Sequence, residues 1–299
     1  MNDFVIETKG LTVYYGPHRG VVDVDLKVRQ GEVFGFLGPN GAGKTTTQRV
    51  LLDVIRPSRG AASIFGLDCQ REGVAIRQRV GYLPGELALP HMKAEAYLDM
   101  ITAVRGNHTD PAYRKELCKR LNLDTSRKIR EYSRGNKQKV GVVAAFMSCP
   151  ELLILDEPTT GLDPLVQQTV LELVREARAD GRTVFLSSHI LSEVQSVCDR
   201  VGIIRDGMLI TVEKVSDLLE RRLHRMRLQF SRSVTAEELH MEGITLAEHQ
   251  DERVVVEVQE HLDTFLTRAA GIGIVDLETV PLSLEEVFLA YYGGESKDG

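Results

Sequence analysis

Three short segments concentrate groups that could act on a phosphate. The first is GPNGAGKT, residues 38–45. Its spacing is glycine, four residues, glycine, lysine, then a hydroxyl residue, a pattern that cradles nucleotide phosphates. Gly38, Gly41 and Gly43 let the backbone curl so that several N–H groups converge on an anion. The helix expected next places its positive N-terminus on that anion. Lys44 is a mobile point charge for the β- and γ-phosphates, and Thr45 offers a hydroxyl to Mg²⁺. The second segment, LLILDEP (152–158), ends an apolar run in two adjacent carboxylates about 110 residues after the loop. Asp156 can hold the magnesium shell through a water, and Glu157 can polarise an attacking water. The third is His189, directly after TVFLSS. Its strand comes next after the Asp-Glu strand, so His189 is expected to face the γ-phosphate; the plain alternative is a structural histidine, with Ser187 or Ser188 capping the following helix.

These groups need a scaffold. FVIETKGLTVYY and VVDVDLKV alternate apolar and polar residues as half-buried strands do. VFGFL (33–37) is a short buried strand running into the glycine loop, and TTTQRVLLDVI (45–55) reads as the helix after it. Strand, glycine loop, helix begins an α/β nucleotide fold. Without that context, the segment would be a glycine turn with an exposed lysine. A further β segment, ASIFGLDC, and the strand RVGYLP (79–84) follow. Residues about 87–131 turn helical (AEAYLDMITAV, YRKELCKRL) and read as an insertion. LLILD and TVFLSS are continuous apolar runs, expected of parallel strands covered on both faces. LVQQTVLELVREARADG is a helix ending at Gly181, ILSEVQSVCD is another, and VGIIRDGMLITV is a hairpin turning on Asp206-Gly207.

The composition shifts near 213–225, where KVSDLLERRLHRMR is charged and read as a helical linker. The first unit is therefore placed at 1–212 and an accessory domain at 226–294, followed by a polar tail at 295–299. Within 226–294 the order is strand, helix, strand, strand, helix, strand, then a last helix at LEEVFLAYY. The first six form a β-α-β-β-α-β series, the order of a ferredoxin-like module.

The remaining composition mostly excludes. The chain has 299 residues, enough for two domains without covalent staples. A hydrophobic content of 42% and a charged content of 27% rule out wholesale disorder. A net charge of −6 argues against whole-surface nucleic-acid binding, and no nucleic-acid partner is expected. Cys69, Cys118, Cys149 and Cys198 lie far apart, so they read as scattered core thiols of a reducing compartment rather than a zinc site or disulfide framework. MNDFVIETKG carries no signal-peptide pattern. The longest apolar run, VGVVAAFM, has eight residues against about 20 for a bilayer-spanning helix. Work at a membrane would need another chain to do the spanning.

Together these segments resemble the ATP-binding cassette (ABC) family of transport ATPases over residues 3–212. Gly38, Pro39, Asn40, Gly41, Ala42, Gly43, Lys44, Thr45 and Thr46 match its Walker A segment. Asp156 and Glu157 match Walker B and its catalytic glutamate. Tyr15 matches the aromatic that stacks on adenine, Asp163 of TTGLDP the loop that communicates across the dimer, and His189 the switch histidine. YSRGN (132–136) stands where the family signature is expected, with Ser133 and Gly135 as the phosphate-touching positions. The resemblance implies an α/β fold: a P-loop core with an N-terminal antiparallel β subdomain, a helical insertion and a small α+β C-terminal domain. It further implies ATP and Mg²⁺ as ligands, and a second ATPase subunit, identical or related. A separate integral membrane permease would be driven by closure around ATP, with the chain held on the inner face of the cell membrane. YLPGE, TTGLDP, the accessory module and SLEEVFLAYYG (283–293) resemble the daunorubicin-resistance type of drug exporter ATPase.

Two positions depart from the family pattern. Arg134 replaces a signature glycine, so its side chain either points away or adds a cation near the phosphate of the other subunit. Gly85, then Glu86, stands where a glutamine usually touches Mg²⁺; either a water substitutes, or Glu86 swings in, or Glu86 is simply a solvated loop residue. They motivate a rival reading as a regulatory subunit with weak hydrolysis, which intact Lys44, Asp156, Glu157 and His189 oppose. Soluble ABC ATPases acting on DNA or ribosomes need a long coiled-coil insertion or a second cassette, and neither is present. An ATP-binding scaffold is the third alternative.

Overall fold

The computed structural model describes residues 3–106, 109–220, 224–258 and 261–280. The chain divides into two compact units, Met1–Lys214 and Val215–Gly299.

In the first unit, strands β1 (Phe4–Tyr15) and β2 (His18–Arg29) lead to the short β3 (Val33–Leu37). Helix α1 (Lys44–Leu51), strands β4 (Arg59–Ile64) and β5 (Leu67–Asp68), helix α2 (Gly73–Arg79) and strand β6 (Val80–Leu83) follow. Helices α3 (Ala94–Val104), α4 (Pro111–Arg120) and α5 (Arg134–Phe146) come next. Strand β7 (Leu152–Asp156), helix α6 (Pro164–Ala179), strand β8 (Thr183–Ser188) and helix α7 (Leu191–Val197) precede the hairpin β9 (Arg200–Arg205) and β10 (Met208–Lys214). Two sheets result. One is antiparallel, in the order β2-β1-β4-β5. The other runs β10-β9-β3-β8-β7-β6, with β9, β3, β8, β7 and β6 parallel and only β10 reversed.

The burial pattern explains the second sheet. Every residue of β3, β7 and β8 is buried, as strands covered on both faces must be. Phe34, Phe36 and Phe185 pack together, with Phe34 and Phe185 stacked at 5.9 Å. Each such side chain contributes about 1.5–3 kcal/mol of burial energy, which fixes the sheet whose ends carry the candidate site. The β9–β10 turn has Asp206 at φ 51° and Gly207 at φ 76°, the left-handed pair of a tight hairpin.

Several local expectations shift. Helix α1 ends at Leu51 rather than near Ile55, because Asp53 turns into the left-handed region at φ 55°. Of the four thiols expected in the core, only Cys69 and Cys198 are buried; Cys118 is half-buried and Cys149 exposed. Burial pushes the Cys69 thiol up to about 12, and Cys198 higher still. Neither Ser187 nor Ser188 is the N-cap of α7. That position is Ile190, whose N–H donates to Ser188 Oγ at 2.9 Å.

The second unit begins with α8 (Val215–Glu220), and strand β11 (His224–Phe230) starts inside the segment read as linker. Then come α9 (Ala236–Leu239), β12 (Ile244–Gln250), β13 (Arg253–Val258), α10 (Leu262–Ile272) and β14 (Ile274–Val280). The sheet is antiparallel in the order β12-β13-β11-β14, so β11 and β13 are central and β12 and β14, which follow α9 and α10, lie at the edges. Alternate residues Met226, Leu228 and Phe230 pack with Val254, Val256, Phe265 and Ala269 into a core of their own. The helix expected at LEEVFLAYY, the SLEEVFLAYYG ending and the 295–299 tail lie outside the described residues.

Candidate active site

The phosphate-type groups come together at the carboxyl ends of three adjacent parallel strands, where ligands of open α/β sheets bind. Strand β3 leads into the 38–45 loop, β7 ends at Asp156, and β8 ends at Ser188 beside His189. Strand β8 lies between the other two, with Leu37 opposite Ser188 and Asp156 opposite Ser187. The 38–45 loop is thereby brought into register with two segments that lie more than a hundred residues further along the chain.

The loop is built for close approach. A Cβ on Gly38 would stand 2.2 Å from the Ile204 carbonyl oxygen, so no side chain fits. Gly43, the N-cap of α1, adopts φ 107°, a conformation side chains disfavour. Lys44, 6% exposed, donates to the carbonyls of Gly38 at 2.6 Å and Pro39 at 3.2 Å. Asn40 and Gly41 sit exposed at the loop's crest, while Ala42, buried, donates its N–H to Pro39 O at 3.2 Å. The loop thus curls as expected and keeps its lysine folded along it.

The acidic partners face that lysine. Thr45 Oγ1 donates to Asp156 Oδ2 at 2.8 Å, and Ser187 Oγ donates to Asp156 Oδ1 at 2.5 Å. Asp156 is 1% exposed, with both carboxyl oxygens engaged. Burial, and then the nearby Asp156, pushes the Tyr82 hydroxyl up to about 12, so it stays protonated. Glu157 sits at φ 51°, a left-handed backbone that a glutamate adopts only where its surroundings hold it. Its Oε2 lies 2.6 Å from His189 Nδ1, and its Oε1 lies 3.2 Å from Lys44 Nζ. The Lys44 approach is an ion pair without hydrogen-bond geometry, so Oε1 retains no hydrogen-bond donor among the described residues. His189 is 43% exposed, which leaves this cluster open to solvent on one side.

The remaining candidates divide. Tyr15, 44% exposed at the end of β1, places its hydroxyl 3.3 Å from Thr46 Oγ1, an aromatic face beside the loop helix. Ser133 and Asp163 act in this chain as helix N-caps: Ser133 Oγ accepts from Asn136 N at 3.3 Å, and Asp163 Oδ1 from Val166 N at 3.1 Å. A Cβ on Gly135 would stand 2.7 Å from Gly161 O, so the start of α5 abuts the 159–164 loop. The Arg134 side chain lies along Gly161, with Cγ, Cδ and Nε each 3.6 Å from where a Cβ there would sit. Among the described residues no hydrogen bond joins Ser133 or Gly135 to the 38–46 loop of the same chain. Gly85 stands against Asp156: its Cβ would be 3.0 Å from Oδ2. Glu86 is exposed, in keeping with a solvated loop residue.

Two contacts carry no sequence signal. Gln138, buried on α5, donates through Nε2 to the carbonyls of Glu157 at 3.3 Å and Pro158 at 3.1 Å, tying α5 to the reactive turn. Ser187 serves Asp156 rather than a helix. Both are buried polar residues, and only the fold shows what they reach.

Comparison with known proteins decides the family. A family model described as ABC transporter matches residues 21–160. The bacitracin transport ATP-binding protein BcrA of Bacillus licheniformis is 35% identical over 303 residues, covering 97% of this chain and 98% of that protein. The chain belongs to the ABC transporter ATPases. The daunorubicin resistance ATP-binding protein DrrA3 of Streptomyces coeruleorubidus is 37% identical over 73% of this chain and 71% of its own. A solved ATP binding subunit of an ABC transporter matches this ABC ATPase with TM-score 0.66 and 32% identity, over 72% of this chain and 91% of that one. The protein is thus an ATP-binding and ATP-hydrolysing subunit of a transporter. No helix among its described residues is long and apolar enough to cross a membrane.

Proposed function

We propose that this ABC ATPase drives export of drug-like or antibiotic small molecules. It would pair with a second ATPase subunit and act on a separate permease from the inner face of the membrane. The names of its relatives, bacitracin transport and daunorubicin resistance, support the class of cargo. The observation that carries the catalytic reading is the convergence of Lys44 and His189 on the two oxygens of Glu157, beside the Thr45–Asp156 pair.

In this reading the loop amides and Lys44 bind the β- and γ-phosphates, and the exposed Tyr15 ring takes the adenine. Glu157 orients the attacking water and accepts its proton, while His189 holds the glutamate through Nδ1. Thr45 and Asp156 would hold Mg²⁺. The fit is good: a hydroxyl and a carboxylate are hard oxygen donors, and Mg²⁺ binds through one or two carboxylates plus substrate phosphates rather than an all-protein cage. When bound, the ion neutralises charge on the phosphate oxygens. Ser133 and Gly135, at the N-terminus of the 13-residue α5, would close on the nucleotide of the other subunit, with Asp163 beside that contact. Binding then favours the closed pair, and hydrolysis removes that preference.

Nucleotide retention and turnover of the full chain, alone and with its co-purifying permease, test the proposal. Lys44→Ala is expected to weaken Mg-ATP binding at least about tenfold, the loss of a charge-assisted phosphate contact. Glu157→Gln is expected to bind within about twofold and to lose about 10²–10³ in turnover. Nucleotide retention without turnover in either preparation would instead make the chain a regulatory subunit.

A further inference from the structure

We propose that Glu193 is a positioning residue for the hydrolysis, clamping the loop after β7 to the loop after β8 and so setting where His189 meets Glu157. This rests on the roles given to Glu157 and His189 above and adds a residue to them. Glu193 lies in the first turn of α7 and is 7% exposed. Two hydroxyls converge on its carboxyl: Thr159 Oγ1 donates to Oε1 at 2.5 Å, and Ser188 Oγ donates to Oε2 at 2.8 Å. Thr159 stands two residues after Glu157, and Ser188 stands immediately before His189. One buried carboxyl therefore joins the two loops whose side chains meet at 2.6 Å in the site.

The surroundings make the clamp stiff. Gln167 Nε2 donates to the carbonyls of Thr159 at 3.4 Å and Leu162 at 3.1 Å, holding the first loop from α6. Ser188 Oγ also accepts from Ile190 N, and the Ser188 carbonyl accepts from Gly38 N at 3.4 Å, which ties the second loop to the phosphate loop. Helix α7 has no room to slide toward the sheet. A Cβ on Gly35 would stand 2.8 Å from Val194 Cγ1 and 3.0 Å from Cys198 Sγ, so the helix seats directly on β3. Without the Glu193 carboxyl, two buried hydroxyls would lose their shared acceptor, and the loops would be free to part. Glu193 touches none of the reacting groups itself, so its effect passes through His189. A merely structural role, such as an acidic group at a helix N-terminus, would not depend on His189.

A mutant cycle on the full-length chain separates the two. With steady-state ATP hydrolysis as readout, Glu193→Ala is expected to lower kcat about tenfold, the scale of losing a charge-assisted hydrogen-bond pair, while KM for Mg-ATP stays within about twofold. Glu193→Gln, whose amide oxygen still accepts one hydroxyl, should recover most of that loss. In a His189→Ala background, Glu193→Ala should cost less than about twofold further. Thr159→Val, which removes one clamp hydroxyl without touching α7, should follow the same pattern on a smaller scale and serves if Glu193→Ala does not fold. Ser196→Ala, which loses only a bond to the Glu193 carbonyl, should stay near wild type. A full tenfold loss repeated without His189, or an unchanged kcat, would overturn the clamp and leave the catalytic reading standing. An unaffected kcat in His189→Ala would bring down the role of His189 and the clamp with it.

Discussion

Gly85 offers a perturbation whose size follows from the coordinates. A methyl group there would stand 3.0 Å from Asp156 Oδ2 and 3.3 Å from its Cγ. An ordinary carbon–oxygen contact is about 3.4 Å or more, so the carboxyl or the 85 loop must give by about 0.4 Å. Asp156 has little freedom to give. Oδ2 accepts from Thr45 at 2.8 Å and Oδ1 from Ser187 at 2.5 Å, and the residue is 1% exposed. Pushing Oδ2 away stretches the Thr45 bond toward about 3.2 Å, past the roughly 3.0 Å limit of a good O–H···O bond. A charge-assisted bond is worth about 1.5–3 kcal/mol; losing about a third to a half of it costs about 1 kcal/mol, roughly fivefold in an equilibrium constant. Gly85→Ala should therefore raise the Mg²⁺ concentration for half-maximal ATP hydrolysis about fivefold, and Glu86→Gln, one residue on and exposed, less than about twofold. Phosphate release titrated against Mg²⁺ at saturating ATP measures both. An unchanged Mg²⁺ requirement in Gly85→Ala would refute the reasoning, because the loop would then yield without disturbing Asp156. A changed requirement in Glu86→Gln would place that side chain at the metal instead.

Two further outcomes are expected. Iodoacetamide at pH 8 should modify exposed Cys149 first and leave Cys69 and Cys198 unmodified until the fold opens, because burial raises both buried thiols and leaves almost no thiolate; peptide mass mapping reads the order. In the second unit, a hydrogen bond from Arg232, with a second from the Thr235 N–H, holds the Glu238 carboxyl down at about 2, against an ordinary 4.5. A carboxyl lowered by folding stabilises the folded state above its unfolded value and loses that contribution as pH falls toward the folded one. Calorimetry of the full chain should show wild type melting above Glu238→Gln at pH 5, with the gap closing as pH falls through 4.5 toward 2.

The site's chemistry was legible where it is local. A glycine loop needs its glycines in sequence, because consecutive backbone amides form the cradle, and Gly38–Thr45 can be read without a structure. The same holds for buried parallel strands such as LLILD and TVFLSS, whose apolar runs follow from being covered on both faces. The Asp206-Gly207 turn is equally local. Helix ends were less legible, as the early stop of α1 shows, since Asp53 can take a left-handed φ that composition does not announce.

What the sequence by itself determined, then, is the set of reactive groups and the strand or loop that bears each one. Only the tertiary structure decided which of them meet. The parallel register puts Asp156 opposite Ser187 and Leu37 opposite Ser188, and from this follow the Thr45–Asp156 bond, the Glu157–His189 contact and the two hydroxyls on Glu193. Gly85 reads in the chain only as a glycine where a glutamine is usual, and Gly35 as an ordinary strand glycine; one proves to make room for a carboxylate and the other for a helix. The physical reason is range. Backbone conformation and burial periodicity are set over a few residues, whereas a hydrogen bond or a steric contact is set by distance in space, which the chain order does not encode.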